Sequence, residues 1–233
     1  MSTTSTKPIT TATPTNVSSV TRVLVVDDQE VVRRGLAATF ENAPDLVVAG
    51  EASDPTDAAR ILEEESIDIV VLELALDGAD GIEWLKNVIA RSEDLNVLVF
   101  SVLDENLYAQ RALQAGARGY VMKSQPLEVL TDAVRRIRSG RVAVSPAMSE
   151  RLLEQMASGY DVDGSTPIER LSDRELEVFR AIGHGNGTRG IAEDLGLSPK
   201  TIETYRENIK AKLDLADANA LVHAAVRWVA EQV

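Results

Sequence analysis

The 233-residue sequence contains no cysteine and only two histidines, His184 and His223. The first absence excludes a disulfide framework, a thiolate metal site and a catalytic thiol. Two imidazoles are too few for a multi-histidine metal centre, and a surface or packing role is expected of both. No apolar run approaches the roughly 18 residues that a membrane span needs, so the chain is expected not to cross a bilayer. The N-terminal segment carries one lysine, Lys7, and no apolar stretch, so it does not read as a secretory signal. The cytosol is the expected location. A basic surplus is missing as well: 24 basic residues face 37 acidic ones, for a net charge of −13. Non-specific coating of nucleic acid depends on basic side chains that neutralise phosphates, and this balance argues against it. The imbalance is uneven. Residues 22–145 hold 13 basic and 22 acidic residues, whereas 171–233 hold 8 and 10. Only the second part is suited to approach DNA.

What is present is 44% hydrophobic and 26% charged residues, enough for a real core and room for two domains. Residues 1–21 are rich in Ser and Thr and poor in large apolar side chains, so they read as a disordered tail. From Arg22 five short runs read as buried strands: Val23–Val26, Leu46–Ala49, Ile69–Leu72, Val97–Phe100 and Gly119–Met122. All but the last are nearly continuous Val, Leu and Ile, as in parallel strands covered on both faces. Helical stretches of 10 or more residues alternate with them, which predicts βαβ units and an α/β flavodoxin-like doubly wound domain of five parallel strands over 22–145. Residues 146–170 read as a linker, first a helix (Pro146–Ala157) and then a flexible Gly, Asp, Ser and Pro stretch. Residues 171–233 read as an all-α four-helix domain. Ser172 and Glu175 have the spacing of a capping box, and Ser198-Pro199 supplies an N-cap and a first-turn proline for a long helix reaching Leu213.

Chemistry collects at the predicted strand ends. Strand one finishes in Asp27-Asp28, strand three at Glu73, strand four at Ser101 and strand five at Lys123. Parallel strands bring such residues to one rim. Three carboxylates there suit a hard cation such as Mg²⁺, with Asp27, Asp28 and Glu73 as the expected ligands and weak binding expected. A hydroxyl and an ammonium opposite suit an anionic group such as phosphoryl.

Val25-Val26-Asp27-Asp28, Asp77-Gly78-Ala79-Asp80-Gly81-Ile82-Glu83 and Gly119-Tyr120-Val121-Met122-Lys123-Ser124 resemble the receiver domain of bacterial two-component response regulators. The resemblance implies that the acidic pair and a third-strand aspartate bind Mg²⁺, and that this aspartate accepts phosphoryl from a histidine kinase. It also implies that Ser101 and Lys123 contact the phosphoryl group and that Tyr120 reorients with activation. The phosphoacceptor position, however, holds Glu73. One additional methylene displaces the carboxylate by about 1.5 Å, and misplacements of about 1 Å can cost 10²-fold in rate. A histidine kinase as phosphoryl donor is therefore disfavoured, as is Asp77 as a substitute acceptor. Glu73 instead extends its own negative charge towards Lys123 and Ser101. Val102, bulkier than the family favours, is expected to narrow the pocket.

Residues 171–233 resemble the DNA-binding domain of LuxR/NarL-type regulators, on Leu171–Val178, Ile191–Arg206 and Asn208–Leu213. Thr188–Leu195, a Gly196 turn and Ser198–Leu213 form a helix-turn-helix whose second helix would enter the major groove. On that helix Ile202, Tyr205, Ile209 and Leu213 recur at helical spacing and are expected to face inward. Lys200, Thr204, Glu207 and Ala211, with Glu203 beside them, are the candidates near base edges, and Thr201 is counted among the DNA-binding residues; either glutamate could read cytosine, although capping or solvated roles compete for both. Arg189, Arg206, Lys210 and Lys212 are candidate phosphate contacts. Gly190 has no explanation in the sequence. Trp84 and Trp228 read as packing residues, with Trp228 also a candidate dimer contact. The expected function is that of a transcriptional response regulator that binds double-stranded promoter DNA as a homodimer, with Glu73 mimicking the activated state. The alternatives are a pseudo-receiver governed by oligomerisation, a ligand or a partner, and an Mg²⁺-dependent phosphatase. The last is disfavoured because Asp27-Asp28-Gln29-Glu30 lacks an acid two residues after the nucleophile position and no second base is evident.

Overall fold

A computed structural model of the chain describes residues 20–76, 79–92, 94–158 and 167–231. The expected tail thus falls almost wholly outside the described residues, as do Asp77, Gly78 and residues 159–166 of the linker. Five strands, β1 (Thr21–Val26), β2 (Leu46–Ala52), β3 (Ile69–Leu72), β4 (Asn96–Ser101) and β5 (Gly119–Met122), form one parallel sheet in the order β2-β1-β3-β4-β5. Thr21, placed in the tail by the sequence, already belongs to β1, where its amide donates to Asp45 O at 2.9 Å. Helices α1 (Glu30–Glu41), α2 (Pro55–Glu64), α3 (Gly81–Arg91), α4 (Glu105–Gln114) and α5 (Leu127–Arg138) connect the strands and cover both faces.

The central strands are buried along almost their whole length, as continuous apolar runs predict. β2 is the exception. It lies at the sheet edge, is buried only at its two ends and leaves Val47 40% exposed, so the expectation of burial on both faces fails there. On one face Leu36 and Phe40 of α1 pack with Leu130, Val134 and Ile137 of α5. The other face is covered by α2, α3 and α4, and its apolar cluster continues through Leu74, Leu76 and Tyr108 into Leu176, Phe179 and Trp228 of the second domain.

A bridge between Gly119 and Ala143 ties the segment after α5 to the sheet edge, after which α6 (Pro146–Ser158) and a short 3₁₀ turn (Pro167–Arg170) lead onward. The second domain comprises α7 (Asp173–Gly183), α8 (Thr188–Asp194), α9 (Pro199–Lys212) and α10 (Ala218–Glu231). The capping box opens α7 as expected: the Ser172 amide donates to Glu175 Oε2 at 2.7 Å, and the Glu175 amide to Ser172 Oγ at 3.3 Å. Ser198 caps α9 with Pro199 in its first turn. Gly196, at φ +63°, takes the left-handed backbone that turns α8 towards α9. Gly183 lets α7 and α10 cross closely, since a Cβ there would lie 2.6 Å from Ala225 O. Leu176, Phe179, Ile202, Ile209, Leu221 and Ala225 close the core. Full burial of side chains such as Leu176 and Phe179 contributes roughly 1.5–3 kcal/mol each.

Candidate functional site

In-register pairing sets the strand-end site. Val26 lies beside Leu72, Leu72 beside Val99 and Ser101 beside Met122, so the next residues emerge on one rim. Glu73 is 2% exposed, and both its oxygens are engaged. Oε1 accepts the Ala75 amide at 2.8 Å and a very short hydrogen bond from the Ser101 hydroxyl. Oε2 accepts the Val102 amide at 3.2 Å and lies 2.9 Å from the Lys123 ammonium. The same ammonium lies 2.5 Å from Asp27 Oδ2, while Asp27 Oδ1 accepts the Gln29 amide at 2.9 Å. Of the expected pocket, the structure brings Asp27, Glu73, Ser101 and Lys123 together. Asp28 sits beside them with Oδ1 buried and without a hydrogen-bond partner among the described residues.

Burial raises the Asp27 carboxyl above its ordinary range, against the opposing pull of Lys123. Burial also works against the Lys123 charge, but Glu73 and Asp27 overcome it and raise its pKa. The ammonium is therefore held charged between two carboxylates, where the sequence placed a metal ion. Among the described residues no three His, Asp or Glu side chains are grouped so as to hold a metal. Glu73 spends both oxygens on these four donors.

Tyr120 is 1% exposed, and its hydroxyl donates to Leu103 O at 2.8 Å. Burial pushes its pKa well above the ordinary tyrosine value. Val102 is 53% exposed, and its amide donates to Glu73 Oε2.

On α9, Ile202 and Ile209 are fully buried, whereas Lys200, Glu203, Thr204 and Glu207 are exposed, so the helix divides as its periodicity predicts. Exposed Arg189 stands on α8. Three expected contacts are otherwise occupied. Thr201 Oγ1 pairs with the Ser198 hydroxyl at 2.8 Å, in the cap. Glu203 accepts from the Thr188 hydroxyl at 2.7 Å, which ties α9 to α8. Lys212, placed at a phosphate by the sequence, donates to Glu175 Oε2 at 2.6 Å and holds the end of α9 against α7. Arg206 and Lys210 remain on the helix surface beside Glu203 and Glu207, at 3.9 and 3.0 Å.

Residues 23–135 match the family model described as response regulator receiver domain, and residues 169–225 match bacterial regulatory proteins, luxR family. The chain is 33% identical to the transcriptional regulatory protein LiaR of Bacillus subtilis over 87% of its length and 96% of that protein. The chain is a response regulator of the luxR family. It is also 30% identical to the response regulator UvrY of Escherichia coli, over 88% of this chain and 93% of that one. RcsB from Salmonella enterica serovar Typhimurium, solved bound to the promoter rprA with the phosphomimetic BeF3⁻, superposes with a TM-score of 0.66 at 25% identity, covering 87% and 96% of the two chains.

In this response regulator the two domains are docked by charges that no motif marked. Asp173, at the start of α7, pairs with Lys86 of α3 at 2.9 Å and with Arg111 of α4 at 2.8 Å. Arg111 also donates to Leu171 O at 2.6 Å and Glu169 O at 3.1 Å. Arg174 reaches Asp80, the N-cap of α3, at 3.0 Å. Trp228, considered for a dimer contact, is 8% exposed with its ring centroid 5.6 Å from that of Phe179, so it belongs to the core. No helix among the described residues is long and apolar enough to cross a membrane.

Proposed function

We propose that this regulator binds double-stranded promoter DNA as a homodimer through α9, in the cytosol, and that Glu73 supplies the activating charge without a kinase. Regulation of transcription rather than catalysis is its role. The observation that carries the reading is the double engagement of Glu73: Ser101 and Lys123, the groups a phosphoryl would contact, both already bind its carboxylate. Tyr120 is at the same time buried next to Ser101. The tether that phosphorylation creates elsewhere is built into the side chain.

Its strength is bounded. A carboxylate carries one negative charge, against nearly two for a phosphoryl group. A charge-assisted hydrogen bond contributes roughly 1.5–3 kcal/mol, and only its difference between two states moves the population. A bias of about 1.4 kcal/mol shifts that population tenfold. Lys123 offsets part of the pocket's negative charge from within. That RcsB was solved on promoter DNA supports the same target for α9, and exposed Lys200 and Thr204 with half-buried Lys210 are its contacts, with half-sites about one helical turn apart.

The test compares the full chain with Glu73→Gln on DNA fragments selected from its own genome. Glu73→Gln keeps the shape and removes the charge, so both dimerisation and DNA affinity are expected to fall by up to about tenfold. Parent-like dimerisation and binding by Glu73→Gln overturn the built-in activation. Lys210→Ala is expected to weaken all sequences alike and reduce the salt slope by about one.

A further inference from the structure

Helix α6 carries an apolar stripe that the described part of the chain leaves uncovered. Pro146, Ser149, Leu153 and Met156 recur at alternating steps of three and four residues, the spacing by which one helix packs along another. Leu153 is 64% exposed and Met156 81%, and every other exposed large hydrophobic among the described residues is a valine. Beside the stripe an open groove of about 770 Å³ runs between α6 and the ends of α3 and α4, walled by Ile89, Leu95, Leu113 and Val144. Ridge and groove therefore lie side by side on one surface. Two copies related by a two-fold axis need this self-complementarity, because one patch has to supply both knob and hole.

The flanking charges choose the orientation. Arg118 lines the groove, and Glu150 stands on the opposite flank of the stripe. Neither side chain forms an ion pair among the described residues. In a parallel pair of helices each flank faces the opposite flank of the other helix. Glu150 of one copy then approaches the groove side of its counterpart, where Arg118 lies. Antiparallel helices would bring like flanks together instead. Parallel helices also send both chains onward in one direction, as two DNA-binding domains on one duplex need. The seam is shorter than the roughly three heptads of a self-standing coiled coil, so the groove walls supply the remaining burial.

We propose that this regulator dimerises through α6, its stripe seated in parallel against that of a second copy, with Arg118 of each copy opposite Glu150 of the other. The proposal rests on the homodimer reading above and names the surface that forms it.

The chain has no cysteine, so one introduced thiol reports one position. In the full chain a short bismaleimide is expected to join Leu153→Cys into covalent dimers. Ala147→Cys, exposed on another face of α6, is expected to stay uncoupled. Met156→Lys, with circular dichroism like the parent's, is expected to weaken dimerisation in sedimentation equilibrium by about tenfold or more, the loss of one buried methionine. Arg118→Glu and Glu150→Arg are each expected to weaken it several-fold, and the double variant to recover most of that loss. Parent-like dimerisation by Met156→Lys, no coupling at Leu153, or a double charge variant weaker than either single one overturns the α6 interface and leaves the homodimer reading standing. A Leu153→Cys thiol that resists maleimide altogether shows another occupant of the groove and overturns the interface too. A parent that stays monomeric, on selected DNA as in free solution, overturns both.

Discussion

Glu73 and Lys123 form a buried ion pair 2.9 Å long in which the carboxylate reaches the ammonium directly, with no phosphoryl group between them. The four donors gathered on Glu73 leave it no lone pair aimed at an incoming phosphorus. Incubation with acetyl phosphate and Mg²⁺ is therefore expected to leave the intact mass unchanged. Glu73→Asp withdraws the carboxylate by one methylene and is expected to gain a phosphoryl mass, with Val102 53% exposed. A labile phosphoryl group mapped to Glu73 itself would contradict this.

Lys123 lies between Asp27 and Glu73. Removing it leaves clustered carboxylates that repel one another. Lys123→Ala is expected to be destabilised by about 3–5 kcal/mol, the usual penalty for breaking a buried pair. Mg²⁺ is expected to restore part of that loss while leaving the parent's melting temperature unchanged. Thermal unfolding of both proteins with and without Mg²⁺ checks it, and an equal effect on the two would show that Lys123 does not replace the metal.

Asp173 sets a pH dependence on domain docking. Burial alone would raise its carboxyl, but Arg111 and Lys86 hold it below the ordinary 3.8. A depressed pKa means that the contribution is present in full well above 3.8 and is lost as pH falls through the lower value of the docked state. Glu177, raised by burial and by Asp80, acts in the opposite sense and limits the net effect. The pairs are partly exposed and contribute about 1 kcal/mol. Small-angle scattering is expected to show Asp173→Asn more extended than the parent at neutral pH. Equal dimensions for the two at neutral pH would remove Asp173 from the docking.

Gly190 lies inside α8, and a Cβ there would meet nothing within 4 Å. Its helix penalty relative to alanine is about 0.8–1 kcal/mol. Gly190→Ala is expected to raise stability by about that amount in denaturant titrations. Nothing in the structure explains why glycine stands here.

The elements were legible because their causes are local. Ser172 with Glu175, and Ser198 with Pro199, are helix starts written within four residues, and both opened the helices expected of them. The strand-end set was legible for a related reason: parallel strands bring their C-terminal ends to one rim wherever the intervening helices run. What escaped depends on partners distant in the chain. Nothing near Lys212 marks Glu175 as its partner, and nothing near Asp173 marks Lys86 or Arg111. β2 carries the apolar composition of its neighbours, and only the strand order reveals that it is an edge.

The apolar cluster that runs from the sheet through Leu74, Leu76 and Tyr108 to Leu176 and Trp228 has a consequence for how such regulators diversify. Helices α7 to α10 are not an interchangeable cassette. Grafted behind another receiver, they would present Trp228 and the α7 surface to whatever loops that host carries, and this receiver alone would expose the apolar ring of Tyr108. New promoter specificity is therefore reached with fewer compensating changes by altering the exposed face of α9, which has no part in the junction, than by exchanging whole domains.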